Sequence, residues 1–305
     1  MFKKKSSTAI KSTREDKIFT IVTTIFLMIA VIIVAYPIYF VIIASISDPY
    51  KVLNGEVTFY PIGVTLKSYR EIFKNKEIWT GYGNSMLYTA VGTLLNVSLT
   101  MLIAYPLSRR YFSGRKTITT ILLITMYFGG GLIPTYLLIQ KMHLYNTFAV
   151  MIFLGAVSAY NVIIARTFLE NNIPTELEEA AEIDGCSKLT FFFRFVLPLS
   201  KSVIAVLVLY YAIAHWNDYM RGLIYLKDTE RYPLQLVIRS ILMETQVQNM
   251  DMASAEELAD MFERTKLAEA MKYGIIIIST IPTLVIYPFI QKHFVKGVMI
   301  GSVKE

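Results

Sequence analysis

Residues 18–46 read IFTIVTTIFLMIAVIIVAYPIYFVIIASI, a run without one charged side chain. A helix needs about 20 predominantly apolar residues to cross a hydrocarbon core, and this run is long enough. It exceeds the apolar region of a signal peptide, and no clear small-residue cleavage site follows, so it is expected to stay in the mature protein. Five further apolar stretches of spanning length follow at Asn84–Ser108, Ile118–Ile139, Thr147–Phe168, Ser202–Leu226 and Tyr273–Phe294. The whole chain agrees: of 305 residues 54% are hydrophobic and only 17% charged, with mean hydropathy +0.49. A soluble domain carries about 25% charged residues. The expected fold is an all-α membrane protein with six transmembrane helices.

Lysine and arginine in short loops mark the cytosolic side. Lys3, Lys4, Lys5, Lys11, Arg14 and Lys17 precede the first stretch, and Arg109, Arg110, Arg115 and Lys116 lie between the second and third. Both segments are therefore expected inside, and so is the C-terminal tail with Lys292, Lys296 and Lys304. The organisation that follows is a basic cytosolic tail (1–17), a six-span transmembrane domain (18–294) and a cytosolic C-terminal tail (295–305). The net charge of +7 is assigned to anionic lipid and cytosol rather than to nucleic acid. One cysteine and three histidines leave no disulfide framework and no cysteine/histidine metal cluster. Pro37, Pro106, Pro134, Pro282, Pro288 and the run Gly129-Gly130-Gly131 interrupt the apolar stretches. Freed backbone groups are tolerated in a membrane only beside protein or water, so these breaks point to helices bending around a cavity.

The loop 170–200, between the fourth and fifth stretches, differs from the others. Residues 171–198 read NNIPTELEEAAEIDGCSKLTFFFRFVLP. Two short helices joined at Gly185 are expected, the first capped by Thr175 with Glu178 completing a capping box, the second capped by Ser187. Glycine takes the left-handed turn at low cost. Phe191, Phe192, Phe193 and Phe195 are too apolar to face water, and Pro198 ends the element. Ala180 and Ala181 permit close approach to another surface, and Glu182 and Asp184 add acid where a cytosolic loop is normally basic. A rigid knob pressed into a soluble partner fits this composition. A helix lying on lipid is the alternative, disfavoured because an anionic leaflet repels acid.

The spacing Glu179-Ala180-Ala181-x3-Gly185-x9-Phe195-x-Leu197-Pro198 resembles the signature loop of permease subunits in binding-protein-dependent ATP-binding-cassette (ABC) importers of the maltose and multiple-sugar type. Phe195 replaces the usual aliphatic residue, and Cys186 stands where alanine is common. Residues 59–69 (FYPIGVTLKSY), Trp216-Asn217-Asp218 and the tail 294–304 are similar to corresponding elements of the same group. Gly129–Tyr136 resembles a Gram-positive branch associated with complex oligosaccharides or lipoprotein-linked substrates. The resemblance implies a bacterial plasma-membrane subunit, not an enzyme, whose loop couples to a separate cytosolic ATPase through Glu179, Ala180, Ala181, Asp184, Gly185, Leu197 and Pro198. It implies as partners that ATPase, a second homologous permease and an extracytoplasmic solute-binding protein. ATP and Mg2+ would be held by the ATPase, since the chain lacks a G-x-x-x-x-G-K-[ST] phosphate loop.

Tyrosines and amides within the apolar stretches suit a polar, uncharged solute, because aromatic faces stack on sugars and amides satisfy hydroxyls. Asn84, Tyr88, Tyr127, Tyr160, Asn161, Trp216 and Asn217 are the candidate pathway residues. A sugar or oligosaccharide is the expected cargo. Peptide or lipid-linked cargo, and a self-sufficient secondary transporter or channel, stay open as alternatives. His215 and Asp218 are expected at a water-exposed outer end rather than in a proton relay. In the loop 227–272, Ser254 and Glu257 open an expected amphipathic helix running to about Ala270.

Overall fold

The structure, a computed structural model, describes residues 13–244, 271–286 and 288. All regular elements among the described residues are helices. The helix expected from Ser254, the basic tail before residue 13 and the C-terminal tail lie outside the described residues.

The first apolar run forms α1 (Arg14–Ser45), opened by a capping box: Thr13 Oγ1 accepts from the Asp16 amide and the Asp16 carboxylate accepts from the Thr13 amide. Only Ile43, Ala44 and Ser45 of α1 are buried, so its apolar surface stands clear of the rest of the chain. Two short helices, α2 (Pro49–Leu53) and α3 (Lys67–Lys74), lead to α4 (Lys76–Ser108). This helix begins earlier than the apolar run at Asn84. Asn75 caps it by accepting from the Glu77 and Ile78 amides, and its polar first turns are helical without being apolar. Pro37 and Pro106 sit inside α1 and α4 without breaking them.

The third, fourth and fifth apolar stretches are broken, and the sequence reading of each as one span needs refinement. The third is α5 (Arg115–Tyr127) and α6 (Leu132–Lys141), bent by 114° at the glycine run. Gly131 has φ +83°, a conformation that side chains with a Cβ avoid, and this turns the chain there. The fourth is α7 (Phe148–Phe153) and α8 (Ala159–Asn172). Helix α9 (Thr175–Ile183) follows. Next come α10 (Lys188–Leu199) and α11 (Lys201–Trp216), bent by 80° where Pro198 and a widened turn at Phe192–Val196 disturb the ladder. The fifth stretch does not continue through Leu226. It stops at Trp216 and restarts as α12 (Met220–Tyr225). Helix α13 (Leu234–Glu244) and α14 (Met271–Ile286) complete the described chain.

Helix α4 is the axis of the packing. Its C-terminal half contributes Met101, Ala104 and Leu107 to a core with Val162, Ala165 and Leu169 of α8, Ala181 of α9, Phe191, Phe192 and Val196 of α10, and Val203, Leu207 and Tyr211 of α11. Near its start, Ile78 joins Trp216, Leu234, Val237 and Ile275. Gly92 lets α11 approach closely, since a Cβ there would lie 2.4 Å from His215 Nε2. That histidine is 4% exposed and meets Asn96 Nδ2 at 3.0 Å, so the water contact expected for it does not occur. Below it, Tyr211 Oη lies 2.7 Å from Thr100 Oγ1 and accepts from the Ser158 amide, joining α4, α11 and the start of α8.

Candidate functional site

Helix α9 is held on one face and open on the other. Leu177, Glu178 and Ala181 share the inner face by their helical spacing. Ala181 is buried in the main core, while Glu179, Ala180, Glu182 and Asp184 are exposed. Ile183 is 87% exposed at the tip, flanked by acids.

The end of α9 closes as the sequence requires. Gly185 has φ +79°, its amide donates to the Glu182 carbonyl at 2.9 Å, and the Cys186 amide donates to the Ala181 carbonyl at 2.9 Å. This is a Schellman closure, with Cys186 and Ala181 supplying its apolar contact. Ser187 Oγ accepts from the Thr190 amide and caps α10 as expected. Phe191 and Phe192 are buried, but Phe193 and Phe195 are exposed, so only half of the phenylalanine run enters the core. Leu197 is half-buried and Pro198 exposed.

The start of α9 differs from expectation. Pro174 occupies the cap position, Thr175 is the first helical residue, and no side-chain cap forms. Glu178 is not free to complete a capping box because it is only 2% exposed and engaged elsewhere. Arg109, 3% exposed, places Nε 3.1 Å from Glu178 Oε2. Glu178 Oε1 accepts from Tyr111 Oη at 2.6 Å, Tyr105 Oη at 2.9 Å and Lys188 Nζ at 3.2 Å. Arg109 also donates from Nη1 to the Ile173 carbonyl at 3.0 Å, and its guanidinium lies over the Tyr105 ring. Burial by itself would push the Glu178 carboxyl up. The hydrogen bonds from Tyr111 and Tyr105 and the charge of Arg109 outweigh it, and the carboxyl titrates below its ordinary value. Lys188 pairs on its other side with Glu182. Beside this cluster, Glu170 receives Arg115 at 2.7 Å and Arg166 at 3.6 Å, tying α8 to α5.

Neither Arg109 nor Glu178 stood out in the sequence as a pair. Arg109 read as one of several basic residues following an apolar run. The available signal was the spacing of Glu178 from Ala181, which puts an acid on the face that the alanine buries.

The candidate pathway residues are scattered. Asn84 Nδ2 donates to the carbonyls of Glu230 and Tyr232, Tyr88 Oη to that of Arg231, and Trp216 Nε1 to that of Ser279. These three hold the chain's own backbone. Asn161 is buried, with its amide on Ser158 Oγ. Tyr127, Tyr160 and Asn217 are exposed. A groove of about 480 Å3 runs between α4, α11 and α14, with Met86, Leu94, Val208 and Pro282 on its walls. Of the seven candidates only Trp216 borders it. Its apolar lining lacks the mixed aromatic and amide character that a sugar would need.

Helices α1 and α4 are long and apolar enough to cross a membrane, as befits a membrane-embedded protein. The chain belongs to the family described as the binding-protein-dependent transport system inner membrane component, whose model matches residues 7–255. It is thus a permease of the ABC importer class, an inner membrane component. It is 37% identical over 290 residues to the polygalacturonan/rhamnogalacturonan transport system permease protein YtcP of Bacillus subtilis, covering 95% of this chain and 99% of that protein. It is 35% identical over 295 residues to protein LplC of the same organism, covering 96% and 97%. A chain in the crystal structure of a bacterial ABC transporter involved in the import of the acidic polysaccharide alginate superposes with a TM-score of 0.84 at 29% identity, covering 93% of this chain and 99% of that one.

Proposed function

We propose that this chain forms one half of the translocation pathway of an ATP-driven importer for a sugar or oligosaccharide, crossing the membrane six times with both termini in the cytosol. It pairs with a second, homologous permease and receives cargo from an extracytoplasmic binding protein. The observation that carries the coupling half of this reading is α9: an acidic helix with Ile183 bare at its tip, seated on a buried ion pair. A soluble ATPase with an apolar groove edged by basic residues would accept it, and the motion of ATP binding would enter the permease there. Glu179, Ala180, Asp184 and Gly185 form the docking surface, and Ala181, Leu197 and Pro198 join it to the core.

A carbohydrate cargo is supported by the names of the relatives, which span acidic polymers and neutral oligosaccharides such as those of the melibiose/raffinose/stachyose permease MelC. The exposed Tyr127, Tyr160 and Asn217 are the residues left free to meet cargo or the second permease. The breaks at Gly131 and between α7 and α8 are where such helices would bend around it. Purification from native membranes in mild detergent tests the assembly. Stoichiometric recovery of an ATPase and a second permease is expected, with ATP-dependent uptake of an oligosaccharide after reconstitution. Transport on an ion gradient alone, by the isolated chain, would return it to the secondary transporters.

A further inference from the structure

Helix α9 is joined to the chain by two main-chain links. One is Ile173-Pro174, where the backbone is extended and a proline supplies no amide donor. The other is the left-handed turn at Gly185. If these were its only connections, a push on α9 would be absorbed by rotation at both ends. The Glu178 carboxylate prevents this, together with Ala181 and Leu177 in the core and the Lys188–Glu182 pair. Of the four groups that hold the carboxylate, Tyr105 is on the last turns of α4, and Arg109 and Tyr111 directly follow that helix. Only Lys188 comes from α10. The Arg109 guanidinium also grips the Ile173 carbonyl, fixing the entry to α9 from the same point.

We propose that Arg109 and Glu178 weld α9 to α4 into one rigid body, so that a displacement of α9 is delivered first to α4 rather than to its chain neighbours α8 and α10. This deepens the coupling assignment and rests on α9 being the docking helix. A buried ion pair adds little net stability over an apolar replacement, because both charges must be stripped of water. What the cluster supplies is geometry: the hydrogen bonds from Tyr105 and Tyr111 to the charged carboxylate are directional and strong, and removing either member of the ion pair strands the other charge. Helix α4 is suited to receive the push. It runs unbroken over 33 residues and reaches the core from end to end, whereas the stretches containing α8 and α10 are each interrupted. Arg109 and Glu178 are thus positioning residues, acting through the docking surface without belonging to it.

The test uses the intact complex, reconstituted with its ATPase and second permease, in a Cys186→Ala background. Spin labels at Leu94→Cys on α4 and Glu176→Cys on α9, both exposed and outside the docking surface, report the distance between the two helices with and without ATP. The expected result is one narrow distance distribution that does not change on nucleotide binding, and that broadens when Glu178→Gln is added. Solute carried per ATP hydrolysed is expected to fall roughly ten-fold in Glu178→Gln, the size of a lost coupling contact. A distance in the parent complex that shifts with ATP would overturn the weld, whatever the variant does. So would an unchanged transport ratio in Glu178→Gln. Should Glu178→Gln fail to assemble, the parent measurement still decides the question. A preparation without any ATP-driven change in transport would instead sink the importer reading itself, and the weld with it.

Discussion

The two ends of α4 are held by different chemistry. At the Ser108 end the contacts are charged and buried: Arg109 Nε lies 3.1 Å from Glu178 Oε2, and two tyrosine hydroxyls and Lys188 donate to Oε1. At the Lys76 end they are neutral. Asn84, Ser85 and Tyr88 hydrogen-bond the backbone of residues 230–234. A neutral bond of this kind is worth about 1 kcal/mol, and losing one partner strands no charge. Removing one member of the buried ion pair does strand a charge. The two ends of the same helix therefore differ in how much it costs to break one contact.

The largest expected effect lies where the two main-chain links meet the charged end. Gly185→Pro forces φ from +79° to about −65° and removes the amide that binds Glu182. Uptake should vanish, as it should in Glu179→Lys, while immunoblots of membranes still show the chain. Normal uptake in either would remove α9 from the coupling role. Next comes Arg109→Met, which strands the Glu178 carboxylate and should destabilise the folded subunit by about 3–5 kcal/mol. Adding Glu178→Met should restore most of that loss, read as the thermal midpoint in detergent. A double variant no better than the single would mean that the pair contributes stability and not only position.

Acid tests the same end without mutation. The Glu178 carboxyl titrates below its ordinary value, so its contribution is complete above that value and is lost as pH falls through the lower, folded-state one. Unfolding in detergent should become easier below about pH 4, and the Glu178→Gln variant should lack that component. The smallest effect belongs to the other end. Tyr88→Phe removes one hydroxyl from the Arg231 carbonyl and should cost about 1 kcal/mol. A penalty as large as that of Arg109→Met would erase the contrast between the ends.

Much of this was legible in the residue order. The apolar runs, the glycine turn at Gly185, the cap at Ser187 and the acidic, exposed character of α9 are local matters. Each depends on residues within a turn or two of one another. The family resemblance carried by Glu179 to Pro198 was legible for the same reason. Thr175 misled because it meets the local requirement for a cap, and only packing shows that Glu178 is already engaged. His215 misled likewise, since its burial depends on Gly92, far away in sequence.

Composition and local pattern by themselves determined an all-helical membrane protein, and the motif from Glu179 to Pro198 carried the resemblance to the ABC permease class, because hydrophobic length and turn chemistry act over short distances. The tertiary structure alone decided that α4 is the axis, that Arg109 finds Glu178, and that Asn84, Tyr88 and Trp216 bind the chain's own backbone. Each of those outcomes is a pairing across many tens of residues, and a charge or amide in a sequence carries no mark of which distant partner will satisfy it.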